Sequence, residues 1–275
     1  MRTTAGVPLN LPRFLPILAL GLMAAAQPPR PLPPGRYLVM VDPGHGGEDE
    51  GAHGRRGSME KEVTLELGGE LARQLEEAGF RASLTRDRDV FVPLWDRAAM
   101  ANAQGADVFI SLHFNADPSR RARGSEVFFL APDGGDPGAA ELAAVENAGG
   151  GRPAKANPDQ VVAGILDDLS QEAYLRDSER LAVAIQTQLN LLGGIRQRGV
   201  KQAPFVVLRG AAMPAVLVET AFISNPREEA RLKDPAFRAR VAQAITRGVR
   251  RFFATGAVLA RRATRIPPSG TAAQP

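Results

Sequence analysis

Three short apolar runs, each ending abruptly on a polar residue, constrain this chain more than any other feature: RYLVMVD (36–42), DVFISLH (107–113) and PAVLVE (214–219). Such runs read as strands buried on both faces. Stretches of helical period lie between them. Leu67, Leu71, Leu75 and Ala78 fall on one face of a helix expected over Ser58–Ala78, with Ser58 as N-cap and Gly79 just past its end. A strand is expected over Phe80–Thr85 and a helix over Leu94–Gln104, closed by Gly105. Further strands are expected at Ser125–Leu130 and Phe205–Arg209, and helices over Gln160–Leu192 and Pro235–Phe253. Strands alternating with helices predict an α/β fold: a single domain with a central twisted, mostly parallel mixed sheet flanked by helices.

The 275 residues allow one domain plus appendages. Arg2 and Arg13 precede or border an apolar run, Phe14–Ala26, that ends in three alanines. This pattern predicts a signal peptide over 1–26, and the run is too short to span a bilayer. A proline-rich linker is expected over 27–36, the main folded domain over 37–254 and a disordered tail over 255–275. Gly, Pro and Ala interrupt the rhythm at 133–157, an insertion and candidate lid with one short helix, Ala139–Asn147; a surface loop fits the same composition. No later run is long and apolar enough for a transmembrane helix. The chain is therefore expected in the periplasm, or secreted to the cell wall; monomer is the default expectation for its oligomeric state. Its formal net charge of +4 suits an anionic surface. Aromatics at 5%, with no recognisable motif, argue against nucleic acid as a partner.

The chain has no cysteine, so a metal must be held by histidine and carboxylate. There are three histidines, His45, His53 and His113. His45 sits in the glycine-rich loop DPGHGG after the first strand, and His113 ends the strand DVFISLH. Taken alone, each is more often a structural histidine than a ligand. Glu60 and Glu62 open the first helix, where acids are favoured by the helix dipole in any case. Glu219 ends PAVLVE, where a buried carboxylate is costly unless paired or functional. Together they match a catalytic zinc set: two histidines, a carboxylate and an open position, with a second carboxylate as general base. The substrate does not follow from these residues.

Four blocks, in order, resemble the zinc-dependent N-acetylmuramoyl-L-alanine amidase family (amidase 3 type). They are VMVDPGHGGEDEGAHG, MEKEVTLELGGELARQLEEAGF, TRDRDVFVPLWDRAAMANAQGADVFISLHFNAD and VKQAPFVVLRGAAMPAVLVETAFISNPREEARL. The resemblance implies hydrolysis of the amide between N-acetylmuramic acid and L-alanine in peptidoglycan, with Zn2+ as cofactor. It implies His45, Glu60 and His113 as zinc ligands, Glu60 being the acid of the family's Glu-Lys pair. It gives Glu219 the role of activating water and protonating the leaving amine. His53 has no matching role, and Asn115 is expected to contact substrate. Some members carry a helix that occludes the zinc site until an activator binds; AAELAAVENA lies at that place, so Glu141 or Glu146 is expected near the metal, and a protein activator is an expected partner. Two other readings fit the same fold: an inactive or partner-activated wall-binding module, and a zinc peptidase acting on peptidoglycan stems.

Overall fold

The computed structural model describes residues 34–255, apart from 133 and 150–158. The expected signal peptide, residues 27–33 of the linker, the tail beyond Thr255 and part of the 133–157 insertion lie outside the described residues. In chain order the elements are β1 (Leu38–Pro43), α1 (Glu60–Glu77), β2 (Arg81–Leu84), α2 (Leu94–Ala103), β3 (Val108–Asn115), β4 (Ser125–Leu130), α3 (Pro137–Ala148), α4 (Asp159–Leu189), β5 (Gln197–Ala203), β6 (Ala215–Phe222), α5 (Pro226–Leu232) and α6 (Pro235–Ala254). The strands form one mixed sheet in the order β2-β1-β3-β6-β4-β5. β2, β1, β3 and β6 run parallel; β4 is antiparallel to β6 and parallel to β5.

β1, β3, β4 and β6 are buried along their whole length, as the uninterrupted apolar runs require. Successive side chains point to opposite faces, which sorts them into two cores. Val39, Val41, Ile110, Leu112, Val216 and Val218 pack on the side covered by α1, α4 and α6. Leu38, Met40, Phe109, Phe128 and Leu217 pack on the other side, with Ala139 and Ala143 of α3. The same parity puts Asp42, Ser111, His113, Glu126 and Glu219 on this second side. The polar residues that end the apolar runs therefore share one face, at the C-terminal end of the parallel strands.

Several boundaries depart from the sequence expectation. α1 begins at Glu60 and its N-cap is Met59, with no side-chain cap; Ser58 instead gives its backbone N–H to Glu229 Oε1 at 3.3 Å. Phe205–Arg209 is not a strand. Val206–Leu208 forms a 3₁₀ turn, because Phe205 leaves the sheet to pack edge-on against Phe128 at 5.2 Å. The strand in that region is β5, whose sequence QRGVKQA is polar and half-exposed at the sheet edge. α5 was also not expected, although Asn225 caps it by accepting from the backbone N–H groups of Arg227 and Glu228, ahead of a proline in the first turn.

Asp42 fixes the end of β1. Its carboxylate is fully buried and accepts from Arg97 Nη1 at 2.9 Å, Thr85 Oγ1 at 2.5 Å and Ser111 Oγ at 2.7 Å. Burial alone would raise its pKa; Arg97 and the two hydroxyls outweigh burial and hold it below its usual value. The stability this provides is present above an unfolded pKa of about 4 and fades as pH falls through the depressed folded value. Removing one partner leaves a buried charge uncompensated, so Arg97→Met is expected to cost about 3–5 kcal/mol in urea unfolding. Asp42→Asn should in addition flatten the acid limb of the stability–pH curve. A loss below about 1 kcal/mol in Arg97→Met would contradict this role.

Candidate metal centre

His45 lies three residues beyond Asp42, in a loop with φ of +60° at His45 and +126° at Gly46. Two buried arginines hold that loop. Arg97 donates from Nη2 to His45 O at 2.9 Å and from Nη1 to Pro43 O at 2.9 Å. Arg86 donates from Nε to Pro43 O at 2.9 Å and from Nη2 to Gly44 O at 2.8 Å. The loop thus turns the imidazole back over the sheet. Asp49 fixes the ring: His45 Nδ1 lies 3.0 Å from each Asp49 carboxylate oxygen, which leaves Nε2 aimed inward.

Glu60 arrives from the first turn of α1 and is fully buried. Its Oε1 accepts from Phe114 N at 2.8 Å and its Oε2 from Ala52 N at 2.9 Å. Each oxygen also faces a histidine: Oε2 is 3.2 Å from His45 Nε2, and Oε1 is 3.2 Å from His113 Nδ1. Glu146 of α3 closes the group, with Oε2 at 3.3 Å from His45 Nε2 and 3.1 Å from His113 Nδ1. His45, Glu60, His113 and Glu146 form a group that could hold a metal ion, their ligand atoms lying within 4.8 Å of one another. Glu62, by contrast, points to solvent.

The donor set fits a small divalent cation. His45 Nε2, His113 Nδ1 and Glu146 Oε2 are buried yet make no hydrogen bond. A tetrahedron whose corners lie about 2.0–2.1 Å from its centre has edges of about 3.3 Å, close to the histidine–carboxylate separations of 3.1–3.3 Å here. Burial works against charge on His113, but the carboxylates of Glu146 and Glu60 outweigh it and raise its pKa to about 10. Burial likewise opposes ionisation of Glu60, and His45 and His113 reverse this, keeping the carboxyl below its usual range. These side chains therefore favour a positive charge among them.

Glu219 stands opposite His113 in the β3–β6 ladder and opposite Glu126 in the β6–β4 ladder. It is fully buried, and neither carboxylate oxygen has a hydrogen-bond partner. Burial pushes its pKa well above the ordinary carboxylate range; His113 opposes this, and Glu146, Glu60 and Glu126 add to it. Asn115 continues β3 into a cleft of ≈ 690 Å³ and donates from Nδ2 to Glu126 Oε1 at 2.9 Å. Glu141 is exposed on α3 and lines the same cleft, outside the four-residue group. His53 stays on the loop, 2.9 Å from Glu50.

Asp49, Arg86, Arg97 and Glu229 were not singled out from the sequence. Asp49 carried a signal, an acid four residues after His45. The others act across the fold. Glu229 Oε1 accepts from Arg56 N at 2.7 Å and so ties α5 to the loop before α1.

Residues 39–251 of the chain match the family model described as N-acetylmuramoyl-L-alanine amidase. The chain belongs to this family. N-acetylmuramoyl-L-alanine amidase AmiC of Neisseria meningitidis is 43% identical over 224 residues, 80% of this chain and 53% of that protein. AmiA of Escherichia coli K12 is 39% identical over 223 residues, 80% of this chain and 77% of that protein. The chain thus spans little more than half the length of its AmiC relatives, 53% in Neisseria and 58% in Escherichia coli O6:H1. Among solved structures, the amidase AmiC2 of Nostoc punctiforme superposes with a TM-score of 0.59 at 29% identity, covering 80% of this chain and 98% of that one.

A site this tight depends on the smallest side chain at Gly44. A Cβ there would run into the His113 ring, with Cε1 2.6 Å away. Gly44→Ala is expected to lose at least about 1.4 kcal/mol of zinc affinity, a tenfold change by isothermal titration calorimetry. Gly69→Ala, where a Cβ meets nothing within 4 Å, serves as control and should bind as the parent does. Equal affinity in Gly44→Ala would contradict the packing described.

Proposed function

We propose that this chain is a zinc-dependent hydrolase that cleaves the amide bond between N-acetylmuramic acid and L-alanine in peptidoglycan. The observation that carries the reading is the convergence of His45, Glu60 and His113 beside the unpartnered Glu219, in a chain of the amidase family. His45, Glu60 and His113 would hold the ion; when bound, zinc supplies a Lewis acid for the scissile carbonyl and for water. Asp49 keeps the His45 ring turned toward the site. Glu219 takes a proton from the attacking water and delivers it to the departing alanine nitrogen. Burial already raises its proton affinity, the property a carboxyl needs to serve as acid after serving as base. Asn115, at the cleft wall, contacts the substrate.

Glu146 supports a resting, blocked form of the same enzyme. Its carboxylate occupies the side on which substrate would approach both histidines. α3 is held there by Ala139 and Ala143 in the core and by Asn147, which donates to Pro204 O at 3.0 Å and accepts from Val206 N at 2.8 Å. A protein activator that draws α3 away would open the site. This role favours partner activation over an inactive wall-binding module. Among the described residues no helix is long and apolar enough to cross a membrane. The proposed workplace is the cell wall or periplasm, reached through the leader at 1–26, with a catalytic domain of 37–254 acting as a monomer.

Mass spectrometry of the soluble products of purified peptidoglycan tests the reading. Expected products are stem peptides with a free L-alanine amino group, absent with a chelator and reduced by about 10²–10⁴-fold in Glu219→Gln. Cleavage within the stem would replace the amidase by a peptidase. In the same assay Glu146→Ala is expected to raise turnover by about tenfold or more, since a larger fraction is open. Unchanged turnover would remove the blocking role.

A further inference from the structure

Apart from His45 and His53, the ionisable side chains lining the cleft are carboxylates, with two exceptions that share one wall: Arg198 and Lys201. Both come from the edge strand β5 and both lean on buried Glu126. Arg198 Nε lies 3.0 Å from Glu126 Oε1 and Lys201 Nζ 2.5 Å from Oε2. The charged groups of the pair lie over rings, with the Arg198 guanidinium 4.8 Å from the centre of Phe222 and the Lys201 ammonium 5.9 Å from that of Phe128.

One buried carboxylate is neutralised by one cation. Here it has two, and the Asn115 amide besides, so the cluster keeps a net charge of about +1 against an acidic cleft. Arg198 spends only Nε on Glu126, and its two terminal nitrogens have no acceptor among the described residues. Those donors form the planar edge that suits a carboxylate in two-point contact. Glu126 faces Glu219 across the β4–β6 ladder, where opposed side chains share a face with Cβ atoms about 4.5–5.5 Å apart. The cationic pair therefore stands one side chain away from the proposed catalytic carboxyl.

We infer that Arg198 and Lys201, held by Glu126, form a subsite that binds a carboxylate on the peptide half of the substrate, close to the scissile amide. This rests on the amidase reading. In such a substrate the muramic carboxyl is consumed in the amide and the N-acetyl sugars are neutral, so the anionic groups belong to the peptide. The subsite selects substrates by charge: a peptide with a free carboxylate beside its N-terminal alanine binds, and the same peptide with that carboxylate amidated binds less tightly.

The test is calorimetric titration of the zinc-loaded protein with L-alanyl-glycine and with L-alanyl-glycinamide, which lacks the carboxylate, alongside the release of stem peptides from the wall. The parent is expected to bind the acid about tenfold or more tighter than the amide, the scale of one charge-assisted contact. Arg198→Gln and Lys201→Gln should each pull that ratio toward one and leave the affinity for L-alanyl-glycinamide unchanged. Each single variant keeps one cation on Glu126, so the wall stays folded. Equal binding of the two dipeptides by the parent, or an equal loss of both in the variants, would overturn the inference. Stem release with a ratio of one defeats the subsite alone. A charge-dependent ratio without stem release, in Glu146→Ala as well as in the parent, defeats the amidase reading and leaves the anion site standing.

Discussion

Two buried arginines hold the rest of the site in register. Arg97 and Arg86 between them take the backbone carbonyls of Pro43, Gly44 and His45, and Arg97 neutralises Asp42 beneath them. A loop with a left-handed histidine cannot keep this course by its own backbone preference. The arginines supply fixed donors where the strand ends and its ladder stops. Arg86 also reaches Lys61 O at 2.8 Å and Thr64 Oγ1 at 3.0 Å, in the first turn of α1. One guanidinium thus couples the loop that carries His45 to the helix that carries Glu60. The third member, His113, is fixed by the ladder itself. Three candidate ligands from three elements are therefore set by one charge network and one strand register.

The polar ends of the apolar strands were legible because burying a charge without purpose is expensive. That argument reaches His113 and Glu219, each ending such a run, and the glycine-rich loop adds His45. Resemblance was needed to choose Glu60 over Glu62, although burial separates them cleanly in the folded chain. Glu146 lay beyond periodicity. AAELAAVENA reads as weakly patterned because α3 buries alanines on one side and covers a polar cleft on the other. β5 was missed for a related reason: an edge strand that faces a charged cleft does not need an apolar pattern, and QRGVKQA has none. The apolar run after it, Phe205–Leu208, goes into the core as a turn. The arginine network could not be read at all, since Arg86 and Arg97 touch residues roughly 40 to 55 positions away.

Charge is arranged on two scales. At the centre, the carboxylates of Glu60 and Glu146 face two histidines that are uncharged when they act as ligands, which favours a cation. At the wall, two cations exceed what Glu126 requires, which favours an anion. A substrate with a polar amide and an adjoining carboxylate would meet both. α3 lies across this gradient, with its buried alanines on the sheet and Glu146 at the centre. α3 is anchored there by Ala139 and Ala143 in the core and by Asn147 on the β5–β6 connection.

The central claim is that His45, Glu60 and His113 hold one zinc ion beside Glu219. Anomalous diffraction at the zinc edge, from crystals of the zinc-loaded protein, tests it most directly. The account predicts one peak about 2.0–2.2 Å from His45 Nε2, His113 Nδ1 and a Glu60 oxygen, with Glu219 outside bonding distance. A peak at His53 and Glu50, or one ligated by Glu219 in place of Glu60, would contradict it.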